Sequence, residues 1–541
     1  MDKRRTILAY HETTKHHFNR YARSAGYMDW HNQPNPFRIF EGCESQKLPL
    51  PVDTPQWPYE ALYLPEAIPH LPLNAKTLGG FLYHGLAISA WKSAGGSRWS
   101  LRVHPSSGNL HPTECYLILP SIDDLAGGVY HYNAFGHALF RRIDLPRDTL
   151  AAWAGHFPTK GFGVALSAIF WRESWKYGER AYRYCNLDAG HAAAAIVFAA
   201  RLNGWQALCL TGAGDQQIAT ILGFDRTHWR PSESEVPEMI FWISAEGQAA
   251  GIPMTLDDQL MGTFESLSVK GNPNPLSREA ERWPIIAEAA AAAEKDVTPA
   301  LDFSPGLDAV YYPPPKKLRA ADIIRKRRSA VSYDPTGSID AETFFAILDR
   351  TLPRAGVAPF DAGLPGPSVD LLLFVNRVRE VQSGLYLLVR SGSRDAVGQL
   401  KADCRPDFFW QPVRPEFPLW LLRAGDVSYG AMEVSCHQQI AAHGAFAVAM
   451  LAPMKRVVSM SPFMYRHLHW ECGMIGQVLY LEAEAHGLRG TGIGCFFDDP
   501  VNALLGITDD TLSSLYHFTI GYPVEDRRIS TLPAYHHLRS S

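Results

Sequence analysis

Tyr182-Arg183-Tyr184-Cys185-Asn186-Leu187-Asp188-Ala189-Gly190-His191 has a counterpart 283 residues downstream, Tyr465-Arg466-His467-Leu468-His469-Trp470-Glu471-Cys472-Gly473-Met474. The register holds without a gap from Tyr182 to Gly223 and from Tyr465 to Gly506, setting Ala200 on Ala483, Gly204 on Gly487 and Asp215 on Asp498. Upstream, Gly128-Val129-Tyr130 matches Gly384-Leu385-Tyr386 in the same order but at another offset. Two matched blocks in one order indicate a duplicated domain. Each copy contains an apolar helix, read over Asn186 to Leu202 and Trp470 to Ala485, with Asp188 and Glu471 in the first turns and Gly204 and Gly487 as terminal caps. Apolar residues nearly all round predict burial, and the small run Ala192 to Ala195 allows another backbone to come close. The two helices are therefore expected either to meet where the repeats touch or to serve as a core helix within each domain.

Outward from these helices, β-like runs at Cys115 to Leu119, Val164 to Phe170, Met239 to Ile243, Leu371 to Val375 and Tyr516 to Gly521 predict an α+β domain in each half. The expected organisation is an extension over residues 1–70 wrapping the first domain, a first domain over 71–270, a linker over 271–317 and a second domain over 318–541. The linker holds an alanine-rich helix candidate, Ile285 to Lys295, and the stiff run Tyr311-Tyr312-Pro313-Pro314-Pro315.

Composition narrows the function. Hydrophobic residues at 46% against 20% charged describe a globular chain, and 541 residues exceed one ordinary domain. With 51 Lys+Arg against 55 Asp+Glu there is no cationic excess for a general nucleic-acid binder, though a local cluster could hold a small anion. The eight cysteines form no Cys-x-x-Cys pair, which disfavours a metal cage or a thioredoxin motif. His11, His16 and His17 lack the ligand arrangement of a metal site, and no metal is expected. No apolar run approaches the ~20 residues of a membrane span, and no signal peptide is readable. The expectation is a cytoplasmic protein that contacts neither membrane nor nucleic acid.

Four stretches could carry chemistry. Arg102-Val103-His104-Pro105-Ser106-Ser107-Gly108-Asn109-Leu110-His111-Pro112-Thr113-Glu114 offers two hydroxyls and an amide on a loop bracketed by prolines, suited to a polar planar ligand or to a plain surface turn. Arg325-Lys326-Arg327-Arg328-Ser329 could bind a phosphate dianion or be a solvated basic turn. Gly492-Ile493-Gly494 permits close backbone approach, where the first repeat has Cys209-Leu210-Thr211. Lys176-Tyr177 could supply a proton acceptor and an orienting hydroxyl, provided burial or a neighbouring cation lowers a pKa; Lys176 could equally pair with Glu173 or Glu179.

Together these stretches resemble the nitroreductase superfamily, and within it the SagB/ThcOx-type FMN-dependent dehydrogenases in a tandem form. The stretches from Tyr10 to Lys15 and from Asp29 to Arg38 look like that subgroup's amino-terminal extension. The resemblance implies two nitroreductase-like domains, each a mixed sheet flanked by helices, forming an intrachain pseudo-dimer that makes a monomer plausible. It implies FMN bound by Arg102, Pro105, Ser106, Ser107 and Asn109 from the first half. Arg327, Arg328, Ser329, Ile493, Gly494, Arg527 and Arg528 contribute from the second, with Lys176 and Tyr177 catalytic. Each half lacks what the other keeps, since Gly363-Leu364-Pro365-Gly366-Pro367 stands near the place of the Ser-Ser-Gly-Asn loop. One composite flavin site per chain is expected, the symmetry-related one being degenerate. The implied reaction is hydride transfer to flavin from a heterocycle-containing peptide or small metabolite, azoline oxidation included. The alternatives are an NAD(P)H-dependent nitroreductase or quinone reductase, and a non-catalytic flavin-binding or scaffold component of a peptide-modifying complex.

Overall fold

The computed structural model describes residues 2–64, 66–246, 251–301, 307, 318–508 and 511–538. The Tyr311 to Pro315 run lies outside the described residues, and the alanine-rich helix spans Pro284–Ala292.

Two seven-stranded sheets repeat one order. The first runs Ser45–Lys47, Ala138–Asp144, Gly128–Asn133, Thr113–Leu119, Gly161–Ala168, Val236–Ser244, Gln206–Cys209. The second runs Gln411–Arg414, Phe417–Ala424, Gly384–Leu388, Asp370–Val375, Phe446–Ala452, Ser513–Gly521, Arg489–Ile493. Gly128 and Gly384, matched in the sequence, open corresponding strands. Pairings between these strands are antiparallel. Parallel pairing enters as single bridges, Ser329 with Gly490 and Ile339 with Val378. Phe170, read as the end of a strand, opens the helix Phe170–Tyr177.

The two long helices are Ala181–Leu202 (α1) and Met464–Ala485 (α2), each starting five or six residues before the sequence reading placed it. Asp188 and Glu471 therefore lie inside the helices and serve neighbouring loops instead of the helix dipole. Gly204 and Gly487 follow the helix ends at φ +68° and +71°, as terminal glycines should. Almost every residue of both helices is buried.

Their crossing has a local two-fold relation. Tyr182 stacks on Tyr465 with centroids 6.3 Å apart and planes at 11°. Arg183 pairs with Asp498 at 2.6 Å, and its counterpart Arg466 pairs with Asp215, the counterpart of Asp498, at 2.8 Å. Residue i meeting j while j′ meets i′ is the signature of an isologous dimer contact, here within one chain.

The amino-terminal extension does not confine itself to the first half. Its helix Lys3–Thr13 is followed by His16, whose N–H donates to Asp498 at 2.8 Å, and His11 Nδ1 lies 3.2 Å from Tyr465 Oη. In return the carboxy-terminal strand Ser530–Leu532 pairs with Ile88–Ala94 of the first half. Among the described residues no helix is long and apolar enough to cross a membrane.

Candidate active site

A cavity of about 590 Å³ opens between the halves, lined by the 102–109 loop and Tyr177 on one side and by Arg327 to Ser329, Tyr480 and Gly492 to Cys495 on the other. That volume falls within the ~300–1,000 Å³ usual for small-molecule sites.

Most of the residues singled out in the sequence meet here, though several turn their polar groups inward. Ser107 donates through its N–H and its hydroxyl to Asp188, all near 3.0 Å. Ser106 Oγ accepts from His111 N at 2.8 Å, and Asn109 Nδ2 donates to Ser100 O at 2.9 Å. These groups shape the loop, and Pro105 lines the cavity beside them. Gly108 sits at φ +57°, and a Cβ there would lie 2.6 Å from Tyr177 Oη, so the loop and the Lys176-Tyr177 segment form one wall. Arg102 lines the cavity, but its guanidinium donates to Pro36 O at 2.6 Å and Thr113 O at 3.5 Å.

The opposite wall is cationic. Arg327 is buried, donating to Val103 O and Arg102 O across the halves. Burial, with Arg327, Arg325 and Arg489 nearby, draws Arg328 down to about 9. Burial first, then Arg328 and Arg489, lowers Lys92 as well. Cationic side chains gathered in a cavity lining can receive an anion through charge-assisted bonds, though Arg489 is already paired with Glu484 and Glu525. Ser329 lines the same region, its Oγ 2.9 Å from Tyr480 Oη. Ile493 and Gly494 form the floor, where a Cβ on Gly494 would stand 2.7 Å from the Tyr184 ring and one on Gly492 1.9 Å from Tyr516 Oη.

Three expectations need correction. Arg527 and Arg528 do not line the cavity; both are exposed, and Arg528 is held by Asp526 at 2.8 Å because the short turn closes on itself. Lys176 is also outside the lining, with Nζ 5.1 Å from the Tyr177 ring centroid. Tyr177 is no ready base, since burial and the charge of Glu173 push its hydroxyl well above the usual value.

Sequence reasoning missed Asp188 as a site residue, as well as His104, His111, His191 and Cys495. Burial pushes Asp188 up to about 7, against the pull of its bonds to Ser106 and Ser107. Burial holds His104 and His111 well below the usual imidazole value, so both are neutral. The available signal was that each precedes a proline of the same loop, His104 before Pro105 and His111 before Pro112.

The place related by the local two-fold is nearly closed, with a cavity of about 20 Å³. There Glu471 replaces Asp188, accepting from Ser368 N at 3.0 Å and pairing with Arg390 while the proline-rich 363–367 loop fills the space. Among the described residues no group of three or more His, Cys, Asp or Glu side chains could hold a metal ion.

The nitroreductase family model matches residues 88–232 and 324–522, one copy in each half. The chain belongs to the nitroreductase family. A nitroreductase-like protein of Anabaena variabilis superposes with a TM-score of 0.70 at 20% identity, covering 96% of this chain and 99% of its own, so the whole tandem fold is shared. The trifolitoxin-processing protein TfxB of Rhizobium leguminosarum bv. trifolii is 37% identical over 112 residues, 18% of this chain. That match spans 29% of TfxB's own length. A nitroreductase-like protein of Methanocaldococcus jannaschii is 24% identical over 155 residues, 28% of this chain and 75% of its own.

Nitroreductases generally bind FMN. The cavity fits that cofactor: Lys92, Arg328 and Arg489 in its lining suit a phosphate, and the Gly492 to Gly494 backbone forms part of the same lining.

Proposed function

We propose that this nitroreductase is an FMN-dependent dehydrogenase or oxidase acting on a heterocycle-containing peptide or small metabolite, azolines included. The observation that carries the reading is the composite cavity, with the Ser107 and Tyr177 wall from one half facing the Arg328 cluster of the other. Similarity to a protein named for trifolitoxin processing supports a modified-peptide substrate.

Bound FMN would supply the hydride acceptor. Arg328, with Lys92 and Arg489, would hold its phosphate, and the 492–494 backbone would lie against its ring. Tyr177, kept protonated by burial, orients the substrate by donating from its hydroxyl. Asp188, poised near neutrality, accepts a proton through the Ser107 hydroxyl that already donates to it. Lys176 acts on the site through Tyr177, over whose ring its ammonium lies.

The test is the visible spectrum of the purified chain, with released flavin counted. About one FMN per chain supports the composite site, and about two would contradict a single site. No flavin after incubation with FMN would overturn the oxidoreductase reading. Anaerobic addition of NADH separates the alternative, since rapid bleaching of bound flavin would mark a nicotinamide-dependent reductase.

A further inference from the structure

Cys436 and Cys495 are 59 positions apart, yet their Sγ atoms lie 2.9 Å from each other. Cys495 directly follows Gly494 and lines the cavity. Cys436 is delivered by a segment tied to the same strand end, where Phe497 N donates to Val434 O and Gln438 Nε2 donates to Cys495 O, both at 2.9 Å. Within that segment Cys436 and His437 take φ +52° and +58°. Two successive non-glycine residues in this region are disfavoured by their own Cβ atoms, so the ties impose the turn that aims the sulfur.

The surroundings suit thiol chemistry. Both cysteines are half-buried, whereas Cys115, Cys185, Cys209, Cys404 and Cys472 are buried. His16 Nδ1 accepts from Ala22 N at 2.9 Å, which leaves the ring proton on Nε2, and the ring is hydrogen-bonded to Cys495. The hydrogen bond with Cys436, with His16 and Arg180 in support, holds the Cys495 thiol well below its usual value against the effect of burial. Tyr21, half exposed, is hydrogen-bonded to Cys436.

We infer that Cys436 and Cys495 form a second redox centre on the cavity wall, a thiol pair that closes reversibly to a disulfide and passes electrons to an external disulfide. Closure needs the sulfurs to approach from 2.9 Å to ~2.0 Å. Cys495, as thiolate, attacks one sulfur of the external disulfide and expels the first thiolate. Cys436 then loses its proton, attacks the Cys495 sulfur and expels the second. One external disulfide becomes two thiols, and the pair is oxidised by two electrons. A hydride and a proton return the pair to two thiols, and this source of reducing equivalents rests on the flavin reading above. The centre names a disulfide as the class of electron acceptor.

The chain is equilibrated without oxygen in buffers of oxidised and reduced dithiothreitol, then acid-quenched, alkylated, digested and mapped by mass. A Cys436–Cys495 crosslink that appears in oxidising buffer, reverses in reducing buffer and is absent from Cys436→Ser supports the pair. Its absence in every buffer overturns it. Flavin-loaded chain, pre-oxidised, is then titrated with dithionite: about four electrons per chain are expected, and about two in Cys436→Ser and in Cys495→Ser, since each centre takes two. About two in the unaltered chain overturns electron exchange with the cavity. A chain that takes up no flavin overturns the earlier reading instead, and the peptide map still decides the pair.

Discussion

Gly190 and Gly473 touch where α1 crosses α2. A Cβ on Gly473 would lie 2.9 Å from Gly190 Cα and 2.2 Å from Leu187 O, and one on Gly190 would lie 2.2 Å from Trp470 O. Leu187 and Trp470 are themselves counterparts, so each helix meets the other through the same two positions.

Gly190→Ala and Gly473→Ala are each expected to cost ~1–3 kcal/mol or more, because the added methyl meets backbone and cannot be relieved by rotating a side chain. Gly398 is the control: it lies inside the helix Arg394–Asp403 with nothing within 4 Å of its added Cβ. Gly398→Ala should be neutral or gain ~0.5–1 kcal/mol from helix propensity. Thermal melts of the three variants decide this, and equal effects would refute the close crossing.

Asp498 receives Arg180 and Arg183, at 2.9 and 2.6 Å, in a buried site. Burial alone would raise its pKa, but the two guanidinium groups outweigh it and hold the carboxyl well below its ordinary value. Asp498→Ala leaves two buried cations uncompensated and should cost ~3–5 kcal/mol at neutral pH. The depressed pKa makes this stability present above the unfolded-state value and lost as pH falls through the folded one. Urea melts at pH 7 and below pH 4 should therefore show the gap to the unaltered chain narrowing in acid.

Asp188 behaves in the opposite sense. Burial raises its pKa to about 7, so the folded state retains a proton that the unfolded chain has released. Its contribution is fully present below the unfolded value near 4 and is lost as pH rises through about 7. Relative to Asp188→Asn, the unaltered chain should lose a few kcal/mol between pH 4 and 8, at ~1.4 kcal/mol for each tenfold difference in proton affinity between the folded and unfolded chain. Parallel melts of the two proteins across that range measure it; a constant difference would show that Asp188 does not titrate there.

Arg328 is assigned to the phosphate of FMN. Arg328→Met should weaken FMN ~10–100-fold, the value of one charge-assisted hydrogen bond, while riboflavin affinity changes little. Arg528→Met, whose side chain is exposed and outside the cavity lining, should leave both unchanged. Fluorescence titration with the two flavins checks the pair, and equal losses for FMN and riboflavin would remove the phosphate role.

Much of this molecule was determined by residues near one another in the chain. The register from Tyr182 to Gly223 on Tyr465 to Gly506 and the repeated Gly-x-Tyr strand openings established two copies of one α+β domain. The apolar, small-residue character of α1 and α2 indicated that both are buried, and the structure showed that they are buried against each other. Such patterns are legible because hydrophobic periodicity and glycine spacing report local structure directly. The proline-fixed loop and the arginine run were visible for the same reason.

Which side chains face the cavity was settled only by tertiary structure. Adjacent residues on a helix point about 100° apart, so Lys176 and Tyr177 could not both be placed by their adjacency, and only Tyr177 lines the cavity. Arg527 and Arg528 carry the right charge, but the chain turns them to solvent. Ser107 with Asp188 and Cys436 with Cys495 join positions 81 and 59 apart. Nothing local marks such pairs, because their proximity comes from how sheets and helices pack. The sequence alone determined that the chain holds two copies of one domain; packing of the two halves decided that they meet as a dimer would, and where one site opens and the other closes.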